Sequence, residues 1–179
     1  RLKIDQNTPS ELNTAKWTSP HREIDGRLGT YGKIRYRWNT GDVSFFYYDN
    51  LANNTIVKGG DYAWRTKFGS LSIRQSFFKN FEFLAQYMSG STKMNDSVSA
   101  VDNDIDTWYA LASYKKEKYQ FGLRYDWFKV HDNDSFRSQL NEEDLNDSKG
   151  LSITASAMYT MLGHYVVGPE YVYIKSQRV

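Results

Sequence analysis

The stretch Tyr119-Gln120-Phe121-Gly122-Leu123-Arg124-Tyr125-Asp126-Trp127 carries an apolar or aromatic side chain at every odd position and a polar, charged or absent one between. Successive side chains of an extended strand point to opposite faces, so this period of two describes a strand with one greasy and one wet surface. Arg124 and Asp126 could not face hydrocarbon without a cost of several kcal/mol each. The wet surface must therefore meet water or polar partners.

The same pattern recurs outward in both directions. Leu151, Ile153, Ala155, Ala157, Tyr159 and Met161 share one parity, with Ser152, Thr154, Ser156 and Thr160 between them and Met158 as the exception. Phe81, Phe83, Ala85 and Tyr87 alternate with Glu82 and Gln86, and Leu84 breaks the pattern. Ile34, Tyr36 and Trp38 alternate with Lys33, Arg35 and Arg37, so that strand has one wholly cationic face. Between Asp61 and Phe77 the phase changes, because Tyr62, Trp64, Thr66 and Phe68 are even while Leu71, Ile73 and Phe77 are odd. A β-bulge at Gly69 is the expected cause. These segments predict about eight strands, near 30–38, 42–50, 61–77, 81–92, 105–115, 118–130, 149–161 and 165–176. Arg1 to Gly29, with Pro9 and Pro20 and no sustained pattern, reads as an irregular lead-in or loop, leaving 30–179 as one β unit.

The connections alternate in length. Asn39-Thr40-Gly41, Lys79-Asn80, Lys116-Glu117 and Gly163-His164 are tight, whereas Leu51 to Gly60, Lys93 to Asp104 and His131 to Ser148 are long and polar. Transmembrane barrels sort their loops this way, with short turns at one membrane surface and long loops at the other. A tilted strand crosses the hydrocarbon layer in about 9–11 residues, against five or six for the average soluble strand, and most of the segments reach the longer value. The expected fold is all-β, an antiparallel up-and-down meander forming all or part of a transmembrane β-barrel.

Composition agrees and excludes several classes. The 179 residues contain 14 Tyr, 10 Phe and 5 Trp but only 3 Pro, and a mean hydropathy of −0.69 requires that aromatics and charges be interleaved. A net charge of +2 is too balanced for a nucleic-acid binder. The absence of cysteine removes disulfides, thiolate metal sites and cysteine nucleophiles. No apolar run approaches the roughly 18 residues of a membrane helix.

The segments Phe46-Tyr47-Tyr48-Asp49-Asn50, Gly60-Asp61-Tyr62-Ala63-Trp64-Arg65-Thr66, Leu123-Arg124-Tyr125-Asp126 with Phe128, and Tyr171 to Ser176 resemble the C-terminal half of uncharacterised proteobacterial porin-like outer-membrane proteins, related in style to the phosphate-selective porins. The resemblance covers roughly Ser10 to Arg178 and implies a barrel without implying a solute. Such barrels usually end on an aromatic residue, whereas the sequence given ends Gln177-Arg178-Val179, so a fragment of a larger barrel is the expectation.

Catalytic motifs are weak. His21, His131 and His164 have no paired-His spacing, and no GxSxG, P-loop or GxGxxG sequence occurs, so no enzyme and no cofactor are expected. Two acidic groups, Asp102, Asp104 and Asp106, and Asp132, Asp134, Glu142, Glu143, Asp144 and Asp147, are assigned to long loops. They could bind calcium through Asp102, Asp104, Asp132 and Asp134, or share divalent ions with lipopolysaccharide, but they lack the EF-hand register. Simple acidic, solvated loops are the plainer reading.

Lys33, Arg35, Arg37, Arg74, Glu82, Arg124, Asp126 and Glu170 are the pore-lining candidates, with more cations than anions. They could equally pair across strands and fill a polar interior. Trp38, Tyr48, Trp64, Tyr87, Trp108, Trp127 and Tyr173 are the candidates for an interfacial aromatic belt. The functional expectation is a channel of the bacterial outer membrane for passive diffusion of small polar or anionic solutes. Its partners would be membrane lipid and lipopolysaccharide, with no nucleic acid, and a homo-oligomer is compatible. The rivals are a soluble β-sandwich or lipocalin-like module binding a glycan or apolar ligand around a dry interior, and a structural barrel or adhesin acting through its loops.

Overall fold

The computed structural model describes residues 24–58, 61–94, 101–133 and 147–178. Its elements are β1 (Thr30–Trp38), β2 (Gly41–Asp49), β3 (Val57–Lys58), β4 (Asp61–Tyr62), β5 (Trp64–Phe77), β6 (Phe81–Met94), β7 (Val101–Lys116), β8 (Tyr119–Asp132), β9 (Ser148–Met161), β10 (Tyr165–Val167) and β11 (Glu170–Arg178). There is no helix among the described residues. The lead-in up to residue 23 and most of the two acidic loops lie outside them.

One antiparallel sheet runs β1-β2-β5-β6-β7-β8-β9, and β10 and β11 pair with β9 in a common register. The last predicted strand is thus interrupted at Gly168-Pro169, where proline has no amide hydrogen for the ladder. The Pro169 carbonyl still accepts the Ala157 amide at 3.1 Å. β3 and β4 form a small separate hairpin in the β2–β5 connection. The meander is up-and-down, with tight turns at one end of the sheet and long connections at the other. The sheet is not closed by hydrogen bonds; β1 is one edge, and β10 with β11 is the other.

Two expectations are corrected. β5 pairs with β6 without a break from Trp64↔Met94 to Phe77↔Phe81, so there is no bulge at Gly69. The phase change is real, but it moves Trp64, Thr66 and Phe68 to the other face, where Phe68 packs against Phe46 and Tyr48 at 5.7 and 5.3 Å between ring centroids. Ring contacts on that face make a backbone slip unnecessary. The second correction concerns strand ends: Asp102, Asp104 and Asp106 belong to β7 and Asp132 to β8, not to loops. Cross-strand pairing extends the strands, with Lys93 Nζ 2.7 Å from Asp102 Oδ2 and Asp106 in register with Lys129.

The register makes each face of the sheet continuous. On one face Tyr36, Val43, Ile73, Ala85, Ala110, Tyr125, Ile153 and Tyr173 form a single rank across the strands. On the other, the equivalent rank is Arg37, Asp42, Arg74, Leu84, Leu111, Arg124, Thr154 and Val172. The apolar rows do not converge on a shared core. Ala63 is the one buried hydrophobic residue among those described, whereas Ile34, Leu71, Phe121 and Leu123 are exposed on the apolar face.

Candidate functional site

The polar face positions all eight charged candidates. Lys33, Arg35 and Arg37 lie on β1, Arg74 on β5, Glu82 on β6, Arg124 and Asp126 on β8 and Glu170 on β11, and the register puts every one on the same side. Between the cations of β1 and Arg74 of β5 lies Asp42, which the alternation of β2 places in register with both Arg37 and Arg74. Asp42 is 5% exposed, and its carboxylate lies 3.4 Å from Arg35 Nε and 3.2 Å from Arg74 Nε. Two guanidinium groups therefore bond one carboxylate, and Arg37 is its register partner on β1. A surplus of positive charge remains there even though the nearest pairs are partly neutralised.

These side chains border a concavity of about 230 Å³ that spans β1, β2, β5, β6 and β7, with Ser72, Gln86 and Tyr109 among its lining. Beyond it, the Arg124 guanidinium sits 4.4 Å over the Tyr109 ring, a cation–π contact. Its Nε also donates to Asp126 at 2.8 Å, and Ser152 donates to the other Asp126 oxygen at 3.1 Å. Arg124 and Asp126 thus form a balanced pair, while Arg35, Arg37 and Arg74 do not. Asp42 escaped the sequence reading because it directly follows the Asn39-Thr40-Gly41 turn; its parity with Ser44 and its spacing from Arg35 were the available signal.

The apolar face has its own order. Tyr87, Trp108 and Trp127 stand side by side in one rank, and the next rank toward the long connections is Ser89, Asp106, Lys129 and Lys149. The Tyr87 hydroxyl reaches into that polar rank, donating to Asp106 at 2.6 Å. At the turn end, Phe77, Phe81, Tyr114 and Phe121 form another aromatic rank, and Tyr119 meets Tyr159 with ring centroids 5.1 Å apart. Between them lie Ile73, Ala85, Ala110, Ala112, Leu123, Ile153 and Ala155, together with Gln75, Phe83 and Tyr125. From Tyr119 to Trp127 there are eight steps of about 3.3 Å, roughly 26 Å along the strand.

Of the seven aromatics expected at an interface, Trp38, Tyr87, Trp108, Trp127 and Tyr173 lie on this face. Tyr48 and Trp64 lie on the polar face instead, because the unbroken β5 register keeps both on the side of Phe68. Trp38 is seated by its indole N–H, which donates to Gln75 at 2.9 Å, and Gln75 in turn donates to Thr40.

Metal-site candidates do not come together: Asp102 and Asp104 are on the apolar side of β7, Asp132 is on the polar side of β8, and Asp134 is outside the described residues. No group of three potential ligands forms among the described residues. His131 Nδ1 is 3.1 Å from Asp147, and His164 sits in the β9–β10 turn. His21 is outside the described part. Compared with protein-family models, curated proteins and solved structures, the chain matches none.

Proposed function

We propose that this sheet is part of the wall of an outer-membrane β-barrel, a channel through which small anionic or polar solutes diffuse passively. One observation carries the reading: a continuous apolar face with two aromatic girdles, exposed and unpacked against any core, backs a face on which arginines and lysines together outnumber carboxylates. In water such an apolar face would be a large liability. In a bilayer it is the lipid-contacting surface, the girdles sit at the headgroups, and Lys129 and Lys149 above the upper girdle meet anionic lipid or lipopolysaccharide. Backbone groups at a sheet edge need partners in hydrocarbon, so this reading requires further strands beside β1 and β11.

The charged face then lines water, and charged rings set the selectivity of such a pore. Reconstitution in planar bilayers under a salt gradient tests the proposal. The expected result is discrete conductance with a reversal potential favouring anions, together with heat-modifiable migration on a denaturing gel. A chain that stays soluble and monomeric without detergent overturns the membrane reading, and cation preference overturns the anion reading.

A further inference from the structure

Along most of its length, the charged rim of the apolar face is matched in sign, and at β9 and β11 it is not. Toward the long connections, Asp49 stands opposite Lys67 and lies 3.1 Å from Arg65, Lys93 lies 2.7 Å from Asp102, and Asp106 stands opposite Lys129. The next lysine breaks the series. Lys149 has Lys129 and Gln177 as its register partners, and Lys175 has Leu151. Among the described residues neither Lys149 nor Lys175 enters an ion pair. Asp147, two residues before Lys149, is held instead by the Asp132 amide and His131. Like charges directly opposite one another destabilise a sheet pair, and an anion between Lys129 and Lys149 relieves that repulsion.

From these lysines toward the turns, β9 is low where its neighbours are high. Ile153 stands between Tyr125 and Tyr173, Ala155 between Leu123 and Tyr171, and Ala157 beside Phe121. Each is smaller than its register partners, so a shallow apolar groove follows β9 from Ile153 to Ala157, four steps or about 13 Å. Its walls are open, with Leu123 56% and Tyr171 69% exposed. Leu151, between Trp127 and Lys175, joins the groove to Lys149.

We infer that β8, β9 and β11 form a discrete site for one lipid bearing a phosphate monoester, with the phosphate at Lys129, Lys149 and Lys175 and an acyl chain along the β9 groove. This inference rests on the reading of the apolar face as lipid-facing, and it names the lipid class and its seat. A phosphate monoester carries between one and two negative charges at neutral pH and answers the unmatched lysines, whereas a zwitterionic headgroup brings its own cation. The groove favours a lipid over free phosphate, because only the lipid buries apolar area there.

Native mass spectrometry of the full chain folded in nonionic detergent tests it, with dioleoyl phosphatidate as probe, dioleoyl phosphatidylcholine as the zwitterionic counterpart and inorganic phosphate as competitor. One phosphatidate per chain should be retained, about tenfold to thirtyfold more tightly than phosphatidylcholine. Lys149→Gln with Lys175→Gln should erase that preference, whereas Lys67→Gln should leave it intact. Ala155→Phe, which fills the groove, should weaken retention of both lipids, and circular dichroism of each variant checks that the sheet is kept. Equal retention of the two lipids, several phosphatidates held alike, or an unchanged preference in the double-lysine variant overturns the site. Displacement by millimolar inorganic phosphate, or full retention in Ala155→Phe, overturns it too, since the acyl groove then contributes nothing. A chain that stays soluble and monomeric without detergent is the separate failure that removes the lipid-facing reading.

Discussion

Trp108 and Trp127 are register partners across β7 and β8, and one rank further toward the long connections Asp106 stands opposite Lys129. Two indoles beside a charged pair on an otherwise apolar face mark a boundary of polarity. In the membrane reading that boundary is the headgroup region, so both indoles sit shallow. Single-tryptophan variants retaining Trp108 or Trp127 should be quenched more by lipid brominated near the carbonyl than by lipid brominated near the chain end. Equal quenching by both, or none, would contradict the placement.

Asp42 tempers the charge of the polar face. It is the one carboxylate among Arg35, Arg37 and Arg74, and its removal leaves all three arginines uncompensated. Because both bonded arginines are about half exposed, the loss of stability in Asp42→Asn should be small. A unit charge about 8 Å from a passing ion in water is worth about 0.5 kcal/mol, of opposite sign for anion and cation. The anion-to-cation permeability ratio should therefore rise about fivefold in Asp42→Asn and fall in Arg74→Gln, read from reversal potentials. Unchanged potentials in both would remove this face from the conduction path.

At the mouth of the β8–β9 connection, Asp147 Oδ1 accepts the backbone N–H of Asp132 at 2.6 Å, and its carboxylate lies 3.1 Å from His131 Nδ1. The backbone bond first, and His131 second, hold its carboxyl below the usual aspartate range. A depressed value means that the contact is fully formed above the ordinary carboxylate range and is lost as pH falls through the lowered value. The Asp132 amide proton resonance should thus titrate with a midpoint below that of a free aspartate. The transition should vanish in Asp147→Asn. A midpoint at or above the free value would show that the carboxylate is not held this way.

The period of two made the strands, both faces and all eight charged residues legible from sequence, because alternation is fixed by backbone geometry and Arg35, Arg74 and Arg124 have no apolar option. What alternation cannot show is the register between strands. Lys93 with Asp102 and Asp106 with Lys129 extend β6, β7 and β8 past the point where apolar residues stop, so polar strand ends read as loop. Phe46, Tyr48, Trp64 and Phe68 were hidden for another reason. An aromatic residue on a wet face has the same local signal as one on a dry face, and a bulge at Gly69 was the simplest way to move it. Asp42 fell at a turn, where parity has only one side to be read from.

Leu123 separates the two environments this apolar face could occupy. It is 56% exposed, midway between Tyr119 and Trp127 on β8, with Ala112 and Ala155 as register partners. On a soluble protein, a charge introduced at so exposed a site costs little, within about 0.5 kcal/mol. At the midplane of a bilayer, the same arginine on the lipid face of a barrel costs about 2–4 kcal/mol, and the cost declines toward the interfaces. Leu123→Arg should therefore destabilise the chain folded in phospholipid vesicles by about 2–4 kcal/mol in denaturant titrations. Trp127→Arg, at the upper girdle, should cost less than Leu123→Arg, because the arginine can reach the headgroups. A Leu123→Arg variant as stable as the parent would mean that this face meets water, and the apolar surface would then need another explanation.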